Sequence, residues 1–414
     1  MNLKPIIYVS ISLLLLAITA LIICYISNNS FIDKKTALNK FIGTEILHNN
    51  TSHNMDWRLL DSLISNKQII LLGEQQHGDG TTQKILSELV FYLNQKGFNT
   101  LFLETSFYDT HRFWERLQLG QVNDFHRSTI YPFWKNAEQT KLLRDTIIFK
   151  SKNKSPLYLK GIDFQIPIKF SQHKIYEDLI SYAKQIPGFK QSQIKHIKHS
   201  LTNRFGPVLY FNTPGERMDT NRKSCLKELL DLQQLINKKE SKTERDSLYL
   251  QYINNIYHFY YSKMYLKDNE FNNTRDSVMF SNILWQMNKN KSSKAIVWTA
   301  NAHASNDKNQ WVRIGAHIKE HYDKNSLIIL TTSLNGSTTN ISSNKVIKLN
   351  PPTSLSVENT LAEKTEEHRI LVVPHNLKKQ KSTMRFYGHN NIEDDWFNKF
   401  DAFIFIKNMQ PSKY

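Results

Sequence analysis

Carboxylates, imidazoles and one guanidinium stand where short apolar runs end in this chain, and those endings are where proton-transfer chemistry could be assembled. Residues 69–80, Ile-Ile-Leu-Leu-Gly-Glu-Gln-Gln-His-Gly-Asp-Gly, lead an apolar run into a polar turn that carries Glu74 and His77. Thr100–Leu103 stops at Glu104, Leu157–Ile162 stops at Asp163, and Ala295–Trp298 continues through Thr299, Ala300, Asn301 and Ala302 to His303. An imidazole near neutral pH can take a proton from water, and a carboxylate beside it raises its basicity and fixes its orientation. Glu74 and Glu104 close strands that are consecutive in sequence and so are expected side by side, either one orienting His77. The bland alternative, in which His77 only bonds the turn backbone, stands equally open.

Such endings are useful only if the elements deliver them to one place. Brief β-prone runs that each stop at an ionisable residue suit parallel strands with their carboxyl ends on one rim, where open α/β sheets bind ligands. After the first run, Ile85, Leu86, Leu89, Val90 and Leu93 recur at helical spacing, with Asp79 as expected N-cap and Gly97 as a left-handed stop. The unit is βαβ, with a right-handed crossover. From about 172 to 290 strand signals give way to helical patterns, and on a helix at Asn273–Gln286 Arg275, Met279 and Asn282 fall on one face. That face presents a guanidinium and an amide together, although a solvated surface arginine is the plain reading. Strand signals resume at Ala295, Ser326–Thr331, Ile370–Val373 and Asp401–Ile406, for seven strands in all. The expected fold is α/β, a mostly parallel central sheet flanked by helices with an α-helical insertion, preceded by one N-terminal transmembrane helix.

With 414 residues and 40% hydrophobic composition the chain is long enough for a substantial core. Its net charge of +17 comes from scattered lysines without a nucleic-acid motif, so an anionic membrane surface or cell envelope explains the excess better than nucleic acid. The two cysteines, Cys24 and Cys225, form neither a disulfide framework nor a zinc motif. Ile6 to Ile26 is almost uninterruptedly apolar, long enough to cross a bilayer, with Lys4 ahead and no small-residue cleavage site behind. The expected organisation is a single-pass signal anchor at 1–27, a polar tether at 28–55 and an α/β domain at 56–414. The body would lie outside the cytoplasm, although Lys34 and Lys35 dilute the charge bias that sets topology. Two histidines with two or three carboxylates could also hold zinc or iron, but no helical HExxH spacing supports it.

Gly73-Glu74-Gln75-Gln76-His77-Gly78, Lys96-Gly97-Phe98, Leu103-Glu104 and Lys160-Gly161-Ile162-Asp163 together resemble the erythromycin esterase family. So do Arg275-Asp276, Met279, Asn282, Trp285, the run Val297 to His303, Gly315 and Phe400 to Ile406. The resemblance implies a hydrolase that opens an ester or a macrolide lactone with histidine-activated water, without a metal or other cofactor. His77 would be the general base, Glu74 and Glu104 its orienting and polarising carboxylates, and His303 with Arg275 would steady the substrate or the oxyanion. Asp163, Asn301 and Asn282 join Arg275 as candidate substrate-binding residues. No serine nucleophile is called for, and the chain has no GxSxG elbow. Two departures stand out: Thr299 and Ala300 fall where the family reads Trp-Ala-His-Asn-Ala-His, and Gln75 and Gln76 replace a small pair. In the insertion, Tyr257, Phe259, Tyr260 and Tyr261 would suit a bulky apolar ligand. The expected function is a membrane-anchored esterase-like hydrolase acting on a small-molecule ester or lactone. The alternatives are a non-catalytic haem- or metal-binding envelope protein of a related fold and a metal-dependent peptidase.

Overall fold

All six residues of Ile69–Glu74, strand β1, are buried, which a strand achieves only when both faces of its sheet are covered. The computed structural model describes residues 57–414 except 126–129, 153–155, 167–168, 200, 202–219, 290–292, 366–367 and 374–380, together with Leu16 and Ile18–Ala20. The expected anchor at Ile6–Ile26 and the tether at 28–55 therefore lie, but for those four residues, outside the described residues. Among the described residues no helix is long and apolar enough to cross a membrane.

The remaining strands are β2 (Phe98–Ser106), β3 (Tyr158–Asp163), β4 (Lys294–Ala300), β5 (Ser326–Asn340), β6 (Lys345–Lys348), β7 (Arg369–Val372), β8 (Ser382–Met384), β9 (Ile392–Asp394) and β10 (Ala402–Met409). They order as β3-β2-β4-β1-β5-β10-β7, with β6 paired to the far end of β5 and β8 with β9 in a separate ribbon. Every pairing along the order from β3 to β10 is parallel, while β7 runs antiparallel to β10 and β6 antiparallel to β5, so the fold is mixed α/β with a mostly parallel sheet. The seven expected strands are all in this sheet. The three not anticipated are short, and β6 is exposed along its whole length, so it carries no apolar pattern to read.

One expectation needs correction. β1 and β2 are not neighbours, because β4 lies between them, with Trp298 paired to Leu72 on one side and Leu103 on the other. The five residues Ala295–Thr299 are buried, and a strand so apolar on both faces takes the centre of a sheet whatever its place in sequence. Glu74 and Glu104 thus flank β4 instead of each other.

Helix α1 (Gly80–Gln95) buries Ile85, Leu86, Leu89, Val90 and Leu93 against one face of the sheet, and Gly97 ends the turn after it at φ 91°. Asp79 occupies the N-cap position but makes no side-chain cap bond, because its oxygens are held by Gln76 N and by His389. Further helices are α2 (Phe107–Gln118), α3 (Glu244–Tyr265) and α4 (Asp268–Asn288). α3 packs with Lys169–Ala183, Gln191–His199 and Thr220–Asn237 around an apolar cluster of its own, which includes Leu179, Leu229, Ile253, Phe259 and Tyr260. Phe259 and Tyr260 are therefore core residues, and Tyr257 and Tyr261 stack on each other against that core. Phe259 and Tyr260 thus hold helices together, which corrects the expectation that they receive a ligand, whereas Tyr261 lines a cavity with Asn254 and His258.

Candidate active site

β1 ends on Glu74, and the turn after it folds His77 back over the carboxylate, with Nδ1 2.6 Å from Glu74 Oε1. The other oxygen, Oε2, accepts a hydrogen bond from Trp298 Nε1 at 3.2 Å. A carboxylate held from behind in this way makes Nδ1 the protonated nitrogen and leaves Nε2 with its lone pair. Nε2 points towards Glu104 Oε1 at 3.8 Å, too far for a direct bond. The ring lies flat on Phe133, with centroids 4.2 Å apart and planes 10° from parallel, and Trp134 approaches at a tilt. The turn itself is pinned: Gln83 Nε2 and Tyr414 OH donate to His77 O, and Thr339 N and Ser412 N donate to Gly78 O. A Cβ at Gly78 would fall 1.7 Å from Thr339 O, so this approach requires glycine.

Glu104, near the end of β2, is the hub. Its Oε2 accepts from Thr299 Oγ1 and from Ala300 N, and its Oε1 accepts from Arg275 Nη2 at 2.8 Å. Arg275 comes from α4, whose Met279 is buried in the core beneath the sheet. Its Nε spans both oxygens of Asp163 at 3.2 Å, Nη2 bonds Asp163 Oδ2 at 2.7 Å, and Nη1 donates to His303 Nε2 at 3.0 Å. Of the five N–H groups of the guanidinium, one on Nη1 has no acceptor among the described residues. His303 also lies 3.5 Å from Glu104 Oε1, and its Nδ1 meets Asp276 Oδ1 at 2.5 Å. Trp311 Nε1 donates to the second oxygen of Asp276 at 2.7 Å, and Tyr131 OH reaches Asp163 at 3.5 Å.

The charges settle one another. Burial pushes the Glu104 carboxyl up, but His303 and His77 when they carry a proton, the fixed charge of Arg275 and the Thr299 hydroxyl outweigh it and hold Glu104 far below the ordinary range, as a carboxylate. Burial alone would lower His77, yet the Glu104 charge and the Glu74 hydrogen bond prevail and raise it above 6.5. Burial raises Glu74 against the pull of His77, and Arg275, desolvated but flanked by Asp163 and Glu104, is held firmly charged. Tyr131 is raised well above its usual value by burial and by Asp163, so its phenol stays protonated.

Six of the eight residues singled out from sequence, Glu74, His77, Glu104, Asp163, Arg275 and His303, come together around Glu104 and Arg275. The other two do not face the space between the imidazoles. Asn282 donates to Ile162 O and Asn255 and accepts from Gln251 and Asn255, so its amide is used up joining β3 to α3. Asn301 donates to Thr331 O and Phe386 O and accepts from Thr331 N, locking β4 to β5. Sequence reasoning did not single out Asp276, Trp298, Trp311, Tyr131, Phe133 or Trp134 as site residues. The pair Arg275-Asp276 and the aromatic run Tyr131-Pro132-Phe133-Trp134 were the available signals. Among the described residues no group of three His, Cys, Asp or Glu side chains is placed to hold a metal ion.

A profile of the erythromycin esterase family matches residues 93–409. The chain belongs to this family. The matched span takes in Glu104, Asp163, Arg275 and His303 and begins after the turn that carries Glu74 and His77. The Bacillus subtilis protein YbfO, which carries a provisional hydrolase name, is 22% identical over 407 residues and covers 87% of each chain. A solved Bacillus cereus protein superposes with a TM-score of 0.74 at 18% identity, covering 91% of this chain and 98% of its own. A mutant of the erythromycin esterase EreC in its open conformation superposes with a TM-score of 0.68 at 16% identity, covering 85% and 93%. The structural likenesses show a shared fold, and the family and the relative support a hydrolase. As for the departures, Thr299 contributes a hydroxyl and Ala300 its N–H to Glu104, while no imidazole projects from position 300.

Proposed function

We propose that this erythromycin esterase-family hydrolase cleaves a carboxylic ester or lactone with a water molecule that His77 deprotonates. The observation that carries the reading is the pairing of a histidine whose Nε2 keeps its lone pair with a guanidinium that keeps one unassigned N–H, both beside Glu104. Water between them would give a proton to His77 Nε2 while its oxygen attacks the carbonyl carbon. The carbonyl oxygen, now an alkoxide, would take the spare Arg275 N–H, a fixed donor whose charge Asp163 and Glu104 keep in place. Collapse then breaks the bond to the leaving alkoxide, which recovers the proton from the imidazolium. Glu74 orients the base and stabilises its charged form, so no serine ester intermediate is formed.

Placement at a membrane is supported by the apolar run Ile6–Ile26 alone, and macrolide lactones stand as one substrate class among esters. The test is hydrolysis of aryl esters, lactones and macrolides by wild type and His77→Ala. A loss of about 10²–10⁴-fold in kcat/KM with unchanged circular dichroism is expected. Equal rates in the two proteins would remove His77 from the reaction.

A further inference from the structure

The second histidine is built like the first but ends differently. His303 Nδ1 faces a carboxylate, Asp276, whose far oxygen is held by an indole, Trp311, just as Glu74 is held by Trp298. At Nε2 the resemblance stops, because Arg275 Nη1 lies 3.0 Å away and an arginine can only donate. With Glu104 Oε1 farther off at 3.5 Å and the guanidinium at 3.0 Å, Nε2 of His303 is placed as the acceptor, and the ring proton then sits on Nδ1, where Asp276 accepts it. A lone pair already committed to a guanidinium can neither take a proton from water nor donate one to a leaving group.

We infer that Asp276 and Trp311 hold the ring proton of His303 on Nδ1 and turn Nε2 to Arg275, and that His303 is a positioning residue that aims Arg275. The guanidinium then has three kinds of acceptor around it: Asp163 across Nε and Nη2, Glu104 at Nη2, and His303 at Nη1. The first two fix one edge of the plane. The third fixes the rotation of Nη1 and so aims the remaining N–H, which is the donor the proposed oxyanion needs. The side chain of His303 is 8% exposed and that of Asp276 fully buried, so the arrangement is shielded from competing water. Trp311 belongs to the segment between β4 and Ile314–Tyr322, and Val312 N next to it donates to Asn273 on α4, tying the indole to the helix that carries Asp276.

This inference rests on the ester-hydrolysis reading for its kinetic readout but not for its structural one. Glutamine at position 303 can place an amide oxygen near the site of Nε2 and accept from Arg275 without transferring protons. His303→Gln is expected to retain kcat/KM within about tenfold of wild type, with the same low-pH limb, while His303→Leu, lacking an acceptor, falls about 10²-fold, an order typical of a misaligned donor. If His303→Gln is instead as inactive as His77→Ala, His303 moves protons and the inference fails. Independently, nitrogen NMR of 15N-histidine-labelled protein, with His303 assigned by its absence in His303→Gln, should show Nδ1 protonated and Nε2 bare at pH 7. A protonated Nε2 overturns the inference even if no ester is hydrolysed. A bare Nε2 in a protein that hydrolyses no ester leaves the positioning standing and defeats the hydrolytic reading instead.

Discussion

His77 and His303 turn Nε2 towards the same Glu104 oxygen, at 3.8 and 3.5 Å, in matched settings, and what separates them is the nearest neighbour at Nε2. For His77 that neighbour is a carboxylate oxygen out of bonding reach, so the nitrogen is poised for a ligand. For His303 it is a guanidinium in bonding reach, so the nitrogen is spent on the protein. Exposure follows the same division, 19% for the His77 side chain and 8% for His303. An indole, a carboxylate and an imidazole in series are thus not enough to make a base. In the proposed reaction the fourth group would decide whether the unit acts on substrate or on its neighbour.

The largest effect on this comparison should come from the residue both arms depend on. Arg275→Met leaves Asp163 and Glu104 buried without their cation, and unfolding in urea at pH 7 should show a loss of about 3–5 kcal/mol. A loss below 1 kcal/mol would mean that the carboxylates find other partners. Next, Trp298→Phe strips the buried donor from Glu74, and a cost of about 1.5–3 kcal/mol is expected for a bond to a charged acceptor. The same change at the half-buried Trp311 should cost less, and the reverse order would deny that the His77 arm is the more tightly enclosed.

A pH profile separates the arms without removing either ring. In the proposed reaction His77 would act as a base only when neutral, and its pKa is raised above 6.5 by Glu104 and Glu74 against the opposing effect of burial. Activity should therefore climb with pH through a midpoint above 6.5. Glu74→Gln keeps an acceptor for His77 Nδ1 while its NH2 replaces the oxygen that accepts from Trp298, and it deletes a charge, so the pKa falls and the limb moves to lower pH. A limb that stays put would show that Glu74 does not tune the base. The smallest change expected is at Phe133→Leu, which removes the ring stacked on His77 for about 0.5–1.5 kcal/mol, read in thermal unfolding.

Strand endings were the legible part of this molecule. Glu74, Glu104, Asp163 and His303 could be placed on one rim because buried parallel strands announce themselves as short apolar runs with a definite stop. Strand order was not legible, since nothing local in Thr100–Leu103 says that a strand nearly two hundred residues later will come between it and β1. The same limit explains Asn282 and Asn301. Their spacing beside Arg275 and His303 is visible, but whether an amide faces a ligand or another strand depends on long-range pairing. Asp276 and Trp311 escaped notice for the opposite reason: an acid beside an arginine reads as that arginine's local partner, yet Asp276 bonds His303 and Trp311.

The turn that carries His77 is held by Thr339, Ser412 and Tyr414, residues from much later in the chain. During synthesis the histidine emerges long before those clasps exist, and Gly78 without them has no reason to keep its tight path. A nascent or truncated chain ending before β10 should therefore be inert even with every acid and imidazole already translated, and catalytic competence should arrive abruptly when the last strand docks. That would place the timing of activity under the control of the segment from Ala402 to Tyr414.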